Sequence, residues 1–169
     1  MTLKTATPTV LEATQALCTA LTQDYKAYAI RQTTNNAQRF SSGNDILGTR
    51  PDLSEYAKER LAKLENDEEL MQFRIESGRK YFKVIQQENR GGQLRDGSVH
   101  AFIDKKNGDV FKPASWKSPA KHVRYNLLDE NSRNLCLNRA NWAGGYLYFE
   151  INPYSPLYHR SKTNDQKRI

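Results

Sequence analysis

The sequence predicts an α+β fold in which N-terminal helices pack on a four- to five-stranded antiparallel sheet, followed by a disordered basic C-terminal tail. Apolar residues recur at helical spacing in residues 1–66, and from Glu69 the period changes to two, as in strands. Residues 159–169 are polar and basic and show no periodicity, which is typical of disorder. Since 169 residues suit one core, we expect a single domain over residues 1–158.

Two helices are predicted in the N-terminal region. Thr7-Pro8 is typical of a helix start, because Thr caps free N–H groups and Pro suits the first turn. Helical spacing extends this helix to about Gln32, and residues 33–50, rich in Thr, Asn, Ser and Gly, are predicted to form a loop. A capping-box pattern at Asp52 then begins the second helix.

Alternating apolar residues predict an antiparallel meander in the sheet-rich region, residues 69–151. A first hairpin is predicted at 71–85 around a Ser-Gly turn, and a second at 99–112 around an Asn-Gly turn. The polar residues 86–97 between the two hairpins are predicted to form a loop.

Two more elements are predicted after the meander. Ser118-Pro119 resembles the first helix start and predicts a helix that ends or bends near Asp129. Residues 146–151 alternate again and predict a fifth strand.

The positive charge is concentrated in the C-terminal part of the chain. The formal net charge is +7, and residues 111–169 carry 10 Lys or Arg against 4 Asp or Glu, which is +6 of the total. This asymmetry predicts an anionic partner, nucleic acid or a nucleotide, while a solvated basic surface that maintains solubility is the alternative. The sequence has neither a long apolar run nor a signal-peptide pattern, so we expect a soluble protein with no membrane partner.

Signatures of catalysis and metal binding are missing from the sequence. It has no G-x-G-x-x-G, Walker-type, G-x-S-x-G or H-E-x-x-H motif, and its histidines and cysteines lack ligand spacing. We therefore predict no catalytic residue, no metal and no cofactor. Pro51-Asp52 and Asp104-Lys105-Lys106 imitate a nuclease pattern, but they fall at a predicted helix start and a predicted hairpin turn.

A basic and aromatic surface is the main candidate site. Strand alternation turns one apolar set toward the helices and leaves cations and rings on the opposite face. Four cations and no acid in residues 112–124 surround the predicted helix start at Ser118, whose free N–H groups suit an anion. Rings stack on bases and cations contact phosphates, unless the rings lie under loops. The predicted nucleic-acid- or nucleotide-binding residues are Arg74, Tyr81, Lys83, His100, Phe102, Lys112, Trp116, Lys117, Lys121 and Arg124.

Three stretches of the chain carry a resemblance to a known group of proteins. They read G-R-K-Y-F-K-V-I from Gly78, S-V-H-A-F-I-D-K-K-N-G-D-V-F-K-P-A-S-W-K-S-P-A-K-H-V-R-Y-N-L-L from Ser98, and N-W-A-G-G-Y-L-Y from Asn141. Residues 78–148, under half the chain, thus resemble small uncharacterised tailed-phage proteins, especially those of cyanophages; K-P-A-S-W-K-x-P-A-K is the distinctive motif. The resemblance implies a phage protein made in the bacterial host cytoplasm, and it implies no activity.

The leading functional prediction is a non-enzymatic phage accessory protein that binds nucleic acid or a nucleotide through the basic aromatic surface. The alternative is a protein-interaction or virion structural component, in which the same surface contacts a host or phage protein. A metal-dependent nuclease is the least favoured alternative. DNA, RNA and a small nucleotide all present phosphates and a base, so the sequence leaves the ligand open among them.

Overall fold

In a computed structural model of the chain, which describes residues 6–41 and 54–148, three α-helices accompany a five-stranded antiparallel sheet. The predicted α+β class is therefore confirmed, and the predicted tail, residues 159–169, lies outside the described residues. The elements are α1 (Val10–Ser41), α2 (Glu55–Glu65), β1 (Gln72–Ser77), β2 (Tyr81–Arg90), β3 (Gln93–Asp104), β4 (Asp109–Pro113), β5 (Pro119–Asn126), α3 (Glu130–Arg139) and a 3-10 helix (Gly145–Leu147).

Helix α1 begins with a capping box at Thr9, two residues after the predicted cap. The Thr9 hydroxyl accepts from the Glu12 N–H at 3.2 Å, and the Glu12 carboxylate accepts from the Thr9 N–H at 3.3 Å. The helix continues to Ser41, so the loop prediction is wrong for residues 33–41, which are helical. The hydroxyls of Thr33 and Thr34 donate to carbonyls four residues earlier, at 2.8 and 2.9 Å, which lets these polar residues stay in a helix.

Helix α2 is capped by Ser54, whose hydroxyl accepts from the Ala57 N–H at 3.2 Å. The capping box predicted at Asp52 lies outside the described residues. Leu64 of α2 packs with Ala29 of α1 and with Leu70, and this small apolar cluster joins the two helices ahead of the sheet.

The five strands form a simple meander in the order β1-β2-β3-β4-β5, each antiparallel to the next. The loop predicted at 86–97 is wrong, because β2 runs to Arg90 and β3 starts at Gln93. The connecting Gly91-Gly92 has φ values of 60° and 84°, the left-handed pair that a type I′ hairpin turn requires. Two-residue turns of this kind let both strands continue to the tip.

The fifth strand is β5, where the sequence predicted a helix. Val123 pairs with Phe111 of β4, and Pro119 at the strand's start pairs with Pro113. Proline suits the first residue of an edge strand, where it removes no necessary ladder bond. Asp129, predicted to end the helix, instead precedes the first residue of α3.

The segment predicted as a fifth strand at 146–151 begins in the 3-10 helix, and residues 149–151 lie outside the described part. The strand prediction is wrong at Tyr146 and Leu147, which are buried against the main core. Helix α1 covers one sheet face, where Leu17 and Leu21 pack with a set of fully or nearly buried strand residues: Phe73, Val84, Ala101, Ile103 and Val110. Helix α1 therefore does not cover the opposite face of the sheet.

Candidate nucleic-acid interface

The sheet face away from α1, which we call the second face, carries Tyr81, Lys83, Phe102 and Phe111. Lys83 of β2 lies opposite Phe102 of β3, which lies opposite Phe111 of β4. The Tyr81 ring is 5.8 Å from the Phe102 ring and 6.0 Å from the Phe111 ring, both edge-on. The meander therefore assembles an aromatic cluster from three neighbouring strands. Strand alternation predicted Tyr81, Lys83 and Phe102 on this face, but it placed Lys112 there in the position that Phe111 takes.

The loop between β4 and β5 folds over this cluster. Trp116 in the loop lies 5.3 Å from the Lys83 ammonium, which is also 5.8 Å from the Phe102 ring and 3.3 Å from the Glu76 carboxylate. Phe102 is only 2% exposed, and Lys83 retains 16% side-chain exposure. The expectation that Phe102 is an exposed stacking platform is therefore wrong, and Phe102 is instead a buried ring beside the Lys83 ammonium.

His100 lies on the opposite side of the sheet from its predicted position. Ala101 pairs with Val84 while Val99 pairs with the next residue, so His100 is the extra residue of a β-bulge and turns toward the core. Its Nε2 is 2.8 Å from the Tyr146 hydroxyl, and its ring is 5.2 Å from the Phe73 ring. Burial lowers the pKa of His100 to about 4, so the imidazole is neutral at pH 7 and not part of a basic surface.

Arg124 and Lys112 turn toward the segment that follows α3. The Arg124 guanidinium donates from Nε to the Leu147 carbonyl at 2.8 Å, and burial lowers its pKa. The Lys112 ammonium is 3.9 Å from the centre of the Tyr148 ring. Since Ser118 precedes a strand, the anion site predicted at a helix N-terminus is wrong.

Arg74 is neutralised by an acidic partner on β3. Its Nε donates to the Asp96 carboxylate at 2.8 Å, and Gln87 donates to the same carboxylate at 3.0 Å. These two hydrogen bonds, that from Arg74 first, lower the pKa of Asp96 to about 2. Arg74 therefore acts as a bridge between strands, and the structure does not bring it together with the exposed cations.

Trp116, Lys117 and Lys121 remain exposed. Trp116 is 45% exposed. The Ser115 hydroxyl accepts from the backbone N–H groups of Lys117 at 3.2 Å and Ser118 at 3.1 Å, which closes the loop into a defined turn. No carboxylate in the described part of the chain lies within ion-pair distance of either lysine. Of the ten predicted residues, these three best match an exposed ring with cations.

Sequence reasoning missed four cations at one end of the sheet, which we call the turn-tip cluster: Arg79, Lys80, Lys105 and Lys106. The first two lie between β1 and β2, and the other two lie between β3 and β4. A meander places these two turns at the same end, and the Lys105 N–H donates to the Lys80 carbonyl at 3.0 Å. The available signal was a pair of adjacent cations in each of two predicted hairpin turns.

The described part of the nuclease-like pattern, Asp104-Lys105-Lys106, does not support a nuclease. The Asp104 carboxylate accepts from the backbone N–H groups of Lys106 at 2.8 Å and Asn107 at 3.2 Å, so it closes the β3–β4 turn. Asp52 lies outside the described residues. Within residues 6–41 and 54–148, no three His, Cys, Asp or Glu side chains are arranged to hold a metal ion. None of the helices described is long and apolar enough to cross a membrane.

Two clefts lie elsewhere on the described surface. One, of about 420 Å³, is lined by Tyr125, Arg139, Asn141, Gly145, Tyr146 and Tyr148. The other, of about 330 Å³, lies between α1 and α2 and includes Tyr28, Tyr56 and Arg60. Their volumes suit a small ligand, but neither contains Trp116 or a member of the turn-tip cluster.

Comparison with known proteins gives a family and no activity. No curated protein and no solved structure is significantly similar to the chain. Residues 2–149 match DUF7717, a family of unknown function, and this match covers most of the sequence. The chain therefore belongs to the DUF7717 family.

Proposed function

We propose that this chain binds nucleic acid or a nucleotide, without catalysing a reaction, through a surface centred on Trp116. The observation that carries the proposal is the 45% exposed Trp116 ring on a defined turn, beside Lys117, which has no carboxylate partner among the described residues. An exposed indole is a stacking platform for a base, and neighbouring ammonium groups contact phosphates. Residues 105–124 carry six Lys or Arg against one Asp, which favours an anionic ligand.

The buried residues of the second face have a supporting role in this proposal. The Lys83 ammonium is 5.8 Å from the Phe102 ring, 5.3 Å from the Trp116 ring and 3.3 Å from the Glu76 carboxylate, so it favours the present position of Trp116. A ring held in place before binding loses less side-chain entropy when a base stacks on it. The contact residues are then Trp116, Lys117 and Lys121, and Phe102 and Lys83 act through Trp116.

The resemblance of residues 78–148 to tailed-phage proteins supports a biological setting for this binding. In that setting the chain is a phage accessory protein in the bacterial host cytoplasm, where viral and host nucleic acids are abundant. The DUF7717 match is compatible with this setting and does not test it.

Anisotropy of a labelled oligonucleotide at about 50 mM salt tests the proposal. Trp116→Ala is expected to weaken binding by about 1–3 kcal/mol, the contribution of one base stack. Tyr56→Ala is the matched control, because Tyr56 is a 73% exposed aromatic residue on α2, away from the second face. It should leave affinity within about twofold of the parent, since it removes no contact with the ligand. If neither oligonucleotides nor mononucleotides bind at micromolar protein, the proposal is wrong.

A second candidate function, contact with a host or phage protein, is favoured by the outer part of the β2–β3 hairpin. There Glu88 pairs with Arg95 and Asn89 with Leu94, while the described pairing of β1 reaches only Gln87. A two-stranded ribbon has marginal stability alone in water, and Leu94 is 48% exposed on it. Light scattering of the purified chain tests this candidate for the case in which the phage protein is a second copy of the chain. An oligomer that Leu94→Lys dissociates supports such a contact through the ribbon, and a monomer at about 100 μM opposes it.

A further inference from the structure

We infer that the ligand is a single strand of at least about three nucleotides, which contacts Trp116 with a base and the turn-tip cluster with its phosphates. This inference rests on the proposed function and narrows its ligand from nucleic acid or a nucleotide to a polymer. The structural basis is the position of the turn-tip cluster, which has no carboxylate partner among the described residues, at the end of the aromatic second face that Lys80 contacts.

The two turns of the cluster are joined by hydrogen bonds. The Lys105 backbone N–H donates to the Lys80 carbonyl at 3.0 Å, and the Lys105 ammonium donates to the Ser77 hydroxyl at 2.6 Å. Arg79 and Lys106 flank this contact and are exposed. The cations of both turns are therefore held close together by backbone geometry at one end of the sheet.

These cations lack acidic partners among the described residues. No carboxylate of residues 6–41 or 54–148 lies within 4.0 Å of an Arg79, Lys80, Lys105 or Lys106 side-chain nitrogen, although Lys83 on the adjoining strand has such a partner. The nearby Asp104 carboxylate accepts from two turn N–H groups instead. Four uncompensated like charges repel one another, and a bound polyanion relieves that repulsion.

The cluster is continuous with the aromatic second face. The Lys80 ammonium is 5.3 Å from the Tyr81 ring centre, and that ring contacts Phe102 and Phe111 at 5.8 and 6.0 Å. The Lys83 ammonium lies 5.8 Å from the Phe102 ring and 5.3 Å from the Trp116 ring. A strand that lies across this face meets the partly buried rings of Tyr81 and Phe111 between the cluster and Trp116.

The path from the turn-tip cluster to Trp116 sets the size of the ligand. The Trp116 ring lies 5.3 Å from the Lys83 ammonium, and Lys83 is three residues from Lys80 along the chain. At about 3.3 Å per strand residue this is roughly 10 Å, the length of about three stacked nucleotides at about 3.4 Å each. A strand of this length presents several phosphates to the cluster while one base stacks on Trp116, and a mononucleotide carries one phosphate group, so the four cations indicate a polymer.

A length series of oligonucleotides tests the inference. Competition anisotropy with thymidine monophosphate and with oligothymidylates of 3, 6 and 12 nucleotides should show a steep rise in affinity up to about three nucleotides and a shallow rise beyond. Oligouridylates of the same lengths show whether the site binds RNA or DNA more tightly, because the two polymers differ only in the sugar hydroxyl and the base methyl group. Equal affinity for the monophosphate and the 12-mer would overturn the inference.

A charge-matched pair of double variants separates the cluster from general electrostatics. Arg79→Gln with Lys106→Gln should flatten the salt dependence of 12-mer binding by roughly 1–1.5 log units per log unit of salt, because about two phosphate contacts are lost. Arg31→Gln with Lys58→Gln removes the same charge from exposed positions on α1 and α2 and should leave the slope nearly unchanged. Equal flattening by both pairs, or by neither, would overturn the inference.

These outcomes also separate this inference from the proposed function. If the 12-mer binds and Trp116→Ala weakens it while the Arg79/Lys106 pair has no effect, the proposed function stands and the role of the cluster is rejected. If no oligonucleotide and no monophosphate binds, both are rejected. Thermal unfolding of each variant should match the parent, because the four substituted side chains are exposed.

Discussion

Mild acid is expected to destabilise this fold through His100. The imidazole is 7% exposed, with the Phe73 ring on one side and the Tyr146 hydroxyl 2.8 Å from Nε2, and burial lowers its pKa from 6.5 to about 4. The folded chain therefore keeps His100 neutral down to about pH 4, whereas the unfolded chain protonates it below about pH 6.5. Because the unfolded state binds more protons between these values, stability falls as the pH decreases through this window, and the His100 contribution levels off below it.

The size of the effect follows from the two pKa values. The difference between 6.5 and about 4 corresponds to about 3 kcal/mol once the unfolded and folded states are both fully protonated. About 2 kcal/mol of this is already lost at pH 5, since most unfolded molecules and few folded ones carry the proton there. The Asp96 carboxylate does not interfere in this window, because its pKa is lowered to about 2.

Urea unfolding followed by circular dichroism at pH 7, 6 and 5 measures this loss. His100→Gln retains a hydrogen-bonding group near Tyr146 but cannot gain a proton, so its free energy of unfolding should fall by about 2 kcal/mol less than that of the parent. The exposed His122 on β5 supplies the control, since His122→Gln should preserve the parent's pH dependence. If the parent and His100→Gln lose the same free energy between pH 7 and 5, the burial argument fails.

Two further predictions concern residues that build the interface. Phe102→Ala should lower the free energy of unfolding by about 3–5 kcal/mol, because it leaves a cavity under Lys83 and Trp116; a urea-measured loss below about 1 kcal/mol would mean that the ring is not buried. Gly108→Ala should cost about 1–2 kcal/mol or more, because the residue has a φ of 75° and an added Cβ would lie 3.1 Å from Leu128 Cγ. An unchanged melting temperature for Gly108→Ala would contradict the turn geometry assigned to this position.

The meander and the long helices were predictable because their signals are local. Alternation and the Asn-Gly pair before Asp109 correctly located the β3–β4 hairpin, and helical spacing identified α1. Strand β5 was missed because Ser118-Pro119 fits a helix start as well as it fits an edge strand. Pairing with β4, where Val110 lies opposite Tyr125, decides between the helix and the strand. The sequence of a single segment does not show which strand it pairs with.

The site was only partly predictable for three physical reasons. A bulge moves His100 to the core side of the sheet, and one extra residue is invisible to an alternation count. Trp116 was found, but its contact with Lys83 depends on how the β4–β5 loop folds back over the sheet. The turn-tip cluster, including Arg79 and Lys106, depends on two distant turns meeting at one end, which follows from strand order and not from composition.

The most direct test of the central claim is the fluorescence of Trp116 itself. The chain has two tryptophans, and Trp142 packs beside Tyr25 and Tyr28 on α1, with ring centres 5.5 and 4.9 Å away. Trp142→Phe therefore leaves Trp116 as the sole tryptophan, with an aromatic ring retained at position 142. Titration with a 12-mer oligothymidylate should quench Trp116 emission in parallel with the anisotropy change, because a base stacks on the indole. Binding seen by anisotropy with no change in Trp116 emission would contradict the claim that this ring receives the ligand.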